Sequence, residues 1–448
     1  MENDLTQGPI SNWLYKLTAP MVLGILAIFL FNLVDTYFVS LLGTEPLAAI
    51  SFTFPATMMV MNLAIGLSIA TGAVVSRAIG EKDSEETRNW VTSSFYLSIM
   101  VGITISIIGY TTQEWVFSMM GAEASLIPLI RDYLDIWYLG CVFLVVMIAV
   151  NASIRATGNT KLPSLIMLLS AVINGILDPL LIFGIGPFPE LGIKGAAIAT
   201  CISWFLAFIV IIRVLIKNNL LKFSIPNNLL SAWNNLIQLG IPASLTNMLG
   251  PLANGIIVAW VATYGTHAVA AYGVGSRLEP LALIVIMALT ASLPPFVGQN
   301  FGAGKFERIQ DALKTSIYFV IVWQASVYLA LVLLADPVSH IFSDEPAVRD
   351  IIKTFLYILP ISYIGLGICL VSTSTINALH KPKYSLFITI LRLFVLYIPL
   401  AWLGHEWFGL EGIFWGCAIG NLLAGAYILF MFCRLNINPE LRNRLIKS

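Results

Sequence analysis

The 448-residue chain is 58% hydrophobic and only 11% charged, with a mean hydropathy of +0.87. Soluble proteins carry about 25% charged residues, so this composition excludes a soluble enzyme or a nucleic-acid binder and points to lipid. The formal net charge is zero, which leaves the placement of charges, not their sum, to carry information.

The first predicted helix covers residues 14–42. Met1 to Ser11 holds two acids and no base, and the apolar run behind it is too long for a cleavable signal, so this helix is expected to be retained. No charge lies between Lys16 and Asp35, and none follows until Glu45. The run is long enough to cross a hydrocarbon core of about 30 Å. A carboxylate within it costs roughly 2.5–3.5 kcal/mol on insertion scales, which marks Asp35 as a residue on an ion or substrate pathway. Pro20 removes a backbone donor and Gly24 offers no side chain to resist bending, so the helix has a weak point at Pro20 and Gly24.

The following helices are expected at 47–76, 90–112, 126–154, 162–184 and 192–216. Met58 sits in the second, Met147 in the fourth and Met167 in the fifth, as packing residues or as a soft cavity lining. The mixed charges from Glu81 to Arg88 form a solvated loop. In the fifth helix the only charge is Asp178, within Asn174-x-x-x-Asp178-Pro179. The i, i+4 spacing puts Asn174 and Asp178 on one face. At about 1.5 Å per residue, Asp35, Asp178, Tyr133 on the fourth helix and Thr200 on the sixth all lie roughly 9–12 Å below the same membrane face. Four polar groups from four helices at one level favour a single site. Two carboxylates close together in low dielectric do not both ionise readily, the tuning a proton-coupled machine needs. Asn174 and Thr200 equally suit sodium coordinated with carboxylate oxygens, and both ions stay open.

The second half of the chain predicts helices at 232–263, 268–298, 311–335, 348–378, 384–404 and 411–434. Arg277 and Glu279 on the eighth either pair with neighbours or line a cavity. Arg392 is about 13 Å from the end of its helix, within snorkelling reach. The five cysteines lie in apolar segments without metal-ligand spacing, and no CxxC, HExxH, P-loop or GxGxxG pattern occurs. No cofactor or metal site and no enzymatic activity are expected.

Twelve spans then follow, and lysine and arginine orient them. Lys16, Arg77, Lys82, Arg88, Arg155, Lys161, Arg213, Lys217, Lys222, Lys305, Arg308, Lys314, Lys381, Lys383, Arg434, Arg442, Arg444 and Lys447 fall at one face; Arg131, Lys194, Arg349 and Lys353 fall at the other. Both termini are expected in the cytoplasm. The chain is also duplicated: Leu17-Thr-Ala-Pro20 recurs as Leu239-Gly-Ile-Pro242, Gly80 as Gly302, and Ile154-x-Ala156 as Ile376-x-Ala378, all 222 residues on. A six-span repeat keeps one orientation, giving parallel repeats. The expected organisation is an all-α integral membrane protein of twelve helices in two pseudo-symmetric six-helix lobes, 1–216 and 232–448, joined by a cytoplasmic linker at 217–231. At the register of Asp35 the second half has Ile257, and near that of Asp178 it has Ile398, so the acid site belongs to one half only.

Pro20 and Asp35, Asn174-x-x-x-Asp178, and Tyr272-Gly-x-Gly-x-Arg277-x-Glu279 within this duplicated frame resemble the multidrug and toxic compound extrusion (MATE) transporters, and the one-sided acid pair resembles their DinF-type branch. The resemblance spans nearly the whole chain. It implies cation-driven export, by H⁺ or Na⁺, of amphipathic and often cationic drugs from a monomer in the inner (plasma) membrane. It implies a coupling-ion network of Asp35, Asn174, Asp178, Thr200 and Tyr133, a bend at Pro20, and a cavity reaching Asn151. A lipid-linked oligosaccharide flippase of the same superfamily is the alternative; it would need cationic residues facing a pyrophosphate, for which only Arg277 and Arg392 are candidates.

Overall fold

The computed structural model describes residues 4–437; Arg442, Arg444 and Lys447 lie outside the described residues. Those described are almost entirely helical: α1 (Ile10–Ser40), α2 (Thr44–Gly80), α3 (Ser84–Met119), α4 (Ile127–Ala156), α5 (Lys161–Ile182), α6 (Ile193–Lys217), α7 (Leu229–Ala262), α8 (Thr266–Gly302), α9 (Phe306–Leu333), α10 (Ala335–Phe342), α11 (Pro346–Ile358), α12 (Tyr363–Ala378), α13 (Pro382–Ile390) and α14 (Ile398–Ile437). Helices dominate because every amide in hydrocarbon must find its partner within its own segment. Their ends follow local chemistry. Asp83 caps α3 by accepting from the amides of Glu85 and Glu86, and both those acids face the positive end of the helix dipole. Pro360 sits in a 3₁₀ turn, Leu359–Ser362, that joins α11 to α12 into one span.

Among the described residues, eleven helical stretches are long and apolar enough to cross a membrane. The last, Pro382–Cys433, runs for 52 residues, about 78 Å at helical rise and far more than one crossing needs. It reverses at Gly409, whose φ of 66° and ψ of −142° leave the helical region for one that only glycine enters freely. Past the reversal Gly412 lies against the backbone of Gly404, Gly416 against Leu400 and Ala401, and Gly420 against Tyr397. The stretch is therefore an antiparallel hairpin and contributes two crossings, which brings the total to the twelve expected.

The chain packs into two compact units. The first holds residues 1–245, 291–309 and 377–381; the second holds 246–290, 310–376 and 382 onward. These units do not coincide with the sequence repeats, because pieces of the second repeat pack with the first. At the end of the first unit that bears the basic loops, α2 and α8 cross at backbone contact. Gly80 lies against the backbone of Gln299, and Gly302 against the backbone of Arg77. The repeat offset of 222 converts each of these contacts into the other, so the crossing is reciprocal, as at an interface related by a two-fold axis. The duplicated glycines are thus a matched pair that lets the two backbones meet.

Beside this crossing the chain preceding α1 forms a strap. Leu5 is fully buried. Asn300 Nδ2 donates to the carbonyl of Leu5 (3.2 Å), Lys305 Nζ to that of Thr6 (2.8 Å), and the Arg308 guanidinium to those of Leu5, Gln7 and Gly8 (3.0–3.3 Å). Gln299 accepts from the Leu5 amide and donates to the Ala156 carbonyl at the end of α4. Arg308→Ala removes the three-way clasp, and at about 1–3 kcal/mol for charge-assisted bonds the detergent-solubilised protein is expected to melt several degrees lower. Arg308→Lys should restore little, since an ammonium lacks the planar fork. Thermal unfolding and proteolysis near residue 9 check this; a wild-type melting temperature with a protected N-terminus would show that the clasp holds nothing.

Candidate ion-coupling site

The acid site lies in the first unit, where α1 packs along α5, α5 against α6, and α6 against α4. Two close approaches bring α1 to α5. A Cβ on Gly24 would meet Ser164 Cα at 3.0 Å and Met167 Sδ at 3.1 Å, and one on Gly175 would meet Val34 at 3.7 Å. Gly24 is therefore a point of close helix contact. α1 runs as one helix through Pro20.

Five residues named from the sequence occupy this region. Asn174 and Asp178 are fully buried, Thr200 and Tyr133 are buried, and Asp35 is half-buried. Asn174 Nδ2 donates to Asp178 Oδ1 at 3.2 Å and to Thr200 Oγ1 at 3.3 Å, so one amide ties α5 to α6. The charges of Asp35 and Asp178 are near enough to act on each other and on Tyr133. Three oxygens here, Asp35 Oδ1, Asp178 Oδ2 and Asn174 Oδ1, are buried without a hydrogen-bond partner. An unpartnered buried acceptor is expensive. Three together want a proton or a cation, because either supplies positive charge where the protein supplies no donor.

The remaining cavity candidates are dispersed. Asn151 is buried on α4, its Oδ1 unpartnered, one turn from Arg155, which donates to Ser68 Oγ at 3.1 Å. Met147 packs on the first unit's core, Met167 rests on Gly24, and Met58 is half-buried on α2. Arg277 is exposed in the second unit.

A residue pattern matching the MatE family covers 20–180 and again 242–403. The chain belongs to the MatE family. The two matches begin one repeat length apart, at the prolines Pro20 and Pro242. The chain is 40% identical over 435 residues to the FAD transporter of Shewanella oneidensis, covering 96% of each protein. It is 26% identical over 433 residues to the multidrug export protein MepA of Staphylococcus aureus, covering 95% of this chain and 94% of MepA. Among solved structures it matches the Vibrio cholerae MATE transporter VcmN in the bent form, with a TM-score of 0.90, 33% identity, and 95% of this chain and 96% of VcmN covered. This MatE chain is thus a multi-pass membrane transporter.

Its second unit holds a polar network that residue spacing alone does not assemble. Arg392 does not reach for the membrane surface. Its Nη1 donates to Asn421 Oδ1 at 3.1 Å, and Asn421 Nδ2 donates to Ser362 Oγ at 3.3 Å. Glu279 is hydrogen-bonded to Tyr363 and lies within the field of Arg392. Arg392 is the second residue of a seven-residue π-helical stretch, Leu391–Tyr397, a distortion that often accompanies functional positions. Two opposite charges inside spans of one repeat were the available signal. Ile257, at the register of Asp35, is fully buried in an apolar core. Arg392→Met should lower the melting temperature by removing the positive charge near Glu279 and the donor to Asn421, while adding Glu279→Gln should recover part of the loss. A double-mutant cycle on melting temperature checks this; additive losses would show that the two groups do not compensate each other.

Proposed function

We propose that this MatE protein is a proton-coupled antiporter that exports large amphipathic organic molecules, with FAD the first cargo to test. It acts as a monomer in the inner membrane with both termini in the cytoplasm, and alternating access is carried by the two sequence repeats. The observation that supports coupling is the trio of unpartnered buried acceptors on Asp35, Asp178 and Asn174. In this reading a proton arriving from outside neutralises Asp35, removes its repulsion with Asp178, and changes how α1 sits against α5. The cargo is released outward as the N-terminal cavity narrows, with Pro20 the point where α1 bends. The FAD assignment rests on the Shewanella relative, similar along its whole length.

Amphipathic cationic drugs are the second reading, favoured by the full-length likeness to MepA. Sodium remains the alternative driving ion, since the same oxygens with Thr200 Oγ1 suit it. Everted vesicles containing the protein would be energised by a proton gradient or a sodium gradient alone, and uptake of FAD and of ethidium measured. Proton-driven FAD uptake is the expected result. Uptake of ethidium but not FAD selects the drug reading, uptake under sodium alone selects sodium, and uptake of neither cargo under either gradient rejects the proposal.

A further inference from the structure

The strap site has a twin. Its walls are Phe296, Gln299, Asn300 and Arg308, with Ala156 beyond. Moved back by one repeat length, the first four become Val74, Arg77, Ala78 and Glu86. All four line a cavity of about 330 Å³ in the first unit, together with Glu81, Trp90, Asn235, Gln238, Leu239 and His380. The backbone of the N-terminal strap fills the first of these places. The segment equivalent in sequence, which begins at Pro226, follows a linker held elsewhere: Thr92 Oγ1 accepts from the Lys222 amide and Tyr96 Oη donates to the Phe223 carbonyl.

The chemistry of the twin is inverted. The strap site presents N–H donors, from Asn300, Lys305 and Arg308, and it holds carbonyl oxygens. In the twin the repeat equivalent of Arg308 is Glu86, whose Oε1 accepts from Trp90 Nε1 at 3.1 Å, leaving the other carboxylate oxygen for a ligand. Arg77 is engaged by Glu81 at 2.8 Å and by the ring of Phe301, so its charge is largely spoken for. His380 is hydrogen-bonded to the Ala73 backbone, while its Nε2 is buried and unpartnered. Burial holds its imidazole below the ordinary histidine range, so the ring is neutral near pH 7 and Nε2 is a lone-pair acceptor.

His380 is also, with Lys82 and Asn219, one of three described non-glycine residues in the left-handed region. Its φ is 61°, and its repeat counterpart is Gly158 at φ 81°. A left-handed turn that costs glycine nothing is held here by a histidine, which places the ring in the cavity wall at some conformational expense.

We propose that this cavity, lined by α2, α3, α7 and His380, is a binding site for an organic cation, an ammonium or guanidinium group on an apolar body. Glu86 accepts its N–H groups, the uncharged His380 ring walls the apolar body, Trp90 offers a π face to its charge, and Asn235 and Gln238 close the polar rim. The volume suits a small drug-sized molecule.

The test uses 2-phenylethylammonium titrated calorimetrically into the purified full-length protein in detergent. Saturable binding is expected. Glu86→Gln, which keeps the bond from Trp90, should weaken it at least fivefold, and so should His380→Gly, which the backbone there accommodates. Asp35→Asn and Arg308→Ala should leave it within twofold, and melting temperatures of all variants guard against loss of fold. Asn235→Trp, which fills the cavity, should abolish binding without either charge change. Absence of saturable binding, retention of binding in the cavity variants, or equal loss in Asp35→Asn would each overturn the proposal.

Discussion

Asp35→Asn is expected to reduce export to the background of empty vesicles, and Asp178→Asn to leave a small fraction, while both proteins insert and fold normally. The amide has the carboxylate's shape but neither releases a proton nor carries charge. Asp35 is half-buried while Asp178 is fully buried, so in the proposed scheme Asp35 is the acid that meets the incoming ion first. Asp178 is fully buried and already accepts from Asn174. In the proposed scheme its substitution would change the repulsion felt by Asp35 and leave Asp35 itself in place. Stability should not be what fails, because removing a charge from a span relieves roughly 2.5–3.5 kcal/mol of insertion cost. Transport in reconstituted vesicles, normalised to folded protein by size-exclusion profile, is the measurement. Wild-type export by either well-folded variant would remove that residue from the coupling network.

Gly302→Val should have an effect of similar size by a different route. A Cβ at Gly302 would collide with the carbonyl of Arg77, and the neighbour is backbone, which cannot rotate away. Overpacking of this kind costs about 1–3 kcal/mol or more where nothing yields. The α2–α8 crossing can relieve it only by separating. Closure should then be lost, export should fall at least tenfold, and a cysteine at Ser76 should become several times more reactive to a membrane-impermeant maleimide on the basic-loop side. Gly80→Val, the repeat equivalent, should do the same, since it meets the backbone of Gln299. Unchanged labelling in both variants would show that the crossing is not what seals that end. A strong effect in one and none in the other would show that its reciprocity has no mechanical role.

The lipid environment, the twelve crossings, the duplication and the one-sided acid pair were legible in the linear chain. Each depends on quantities that run along one dimension: hydropathy over a length of about 20 residues, charge at loop ends, and a fixed register between repeats. The grouping of Asp35, Tyr133, Asn174, Asp178 and Thr200 was legible for the same reason. Depth along a helix is set by residue count, and four helices crossing one slab share a common scale. Gly24 marks a flexible point in the linear chain, and only the partner helix shows its contact with Ser164.

Azimuth, by contrast, is not written in depth. Which way Arg392 points is decided by the π-helical stretch it lies in and by Asn421 on the other arm of the hairpin, 29 positions away. Whether residues 291–309 pack with their own repeat or with the other is decided by the glycine crossing and the strap. The twin sites show the division most clearly. Sequence alone supplies the offset of 222 and the exchange of Arg308 for Glu86. Only the tertiary structure reveals that one copy is filled by the chain's own N-terminus while the other is a cavity, because a short strap reaches whatever its neighbouring helices bring within range, and hydrogen bonds of about 3 Å are settled by three-dimensional position, not by separation along the chain.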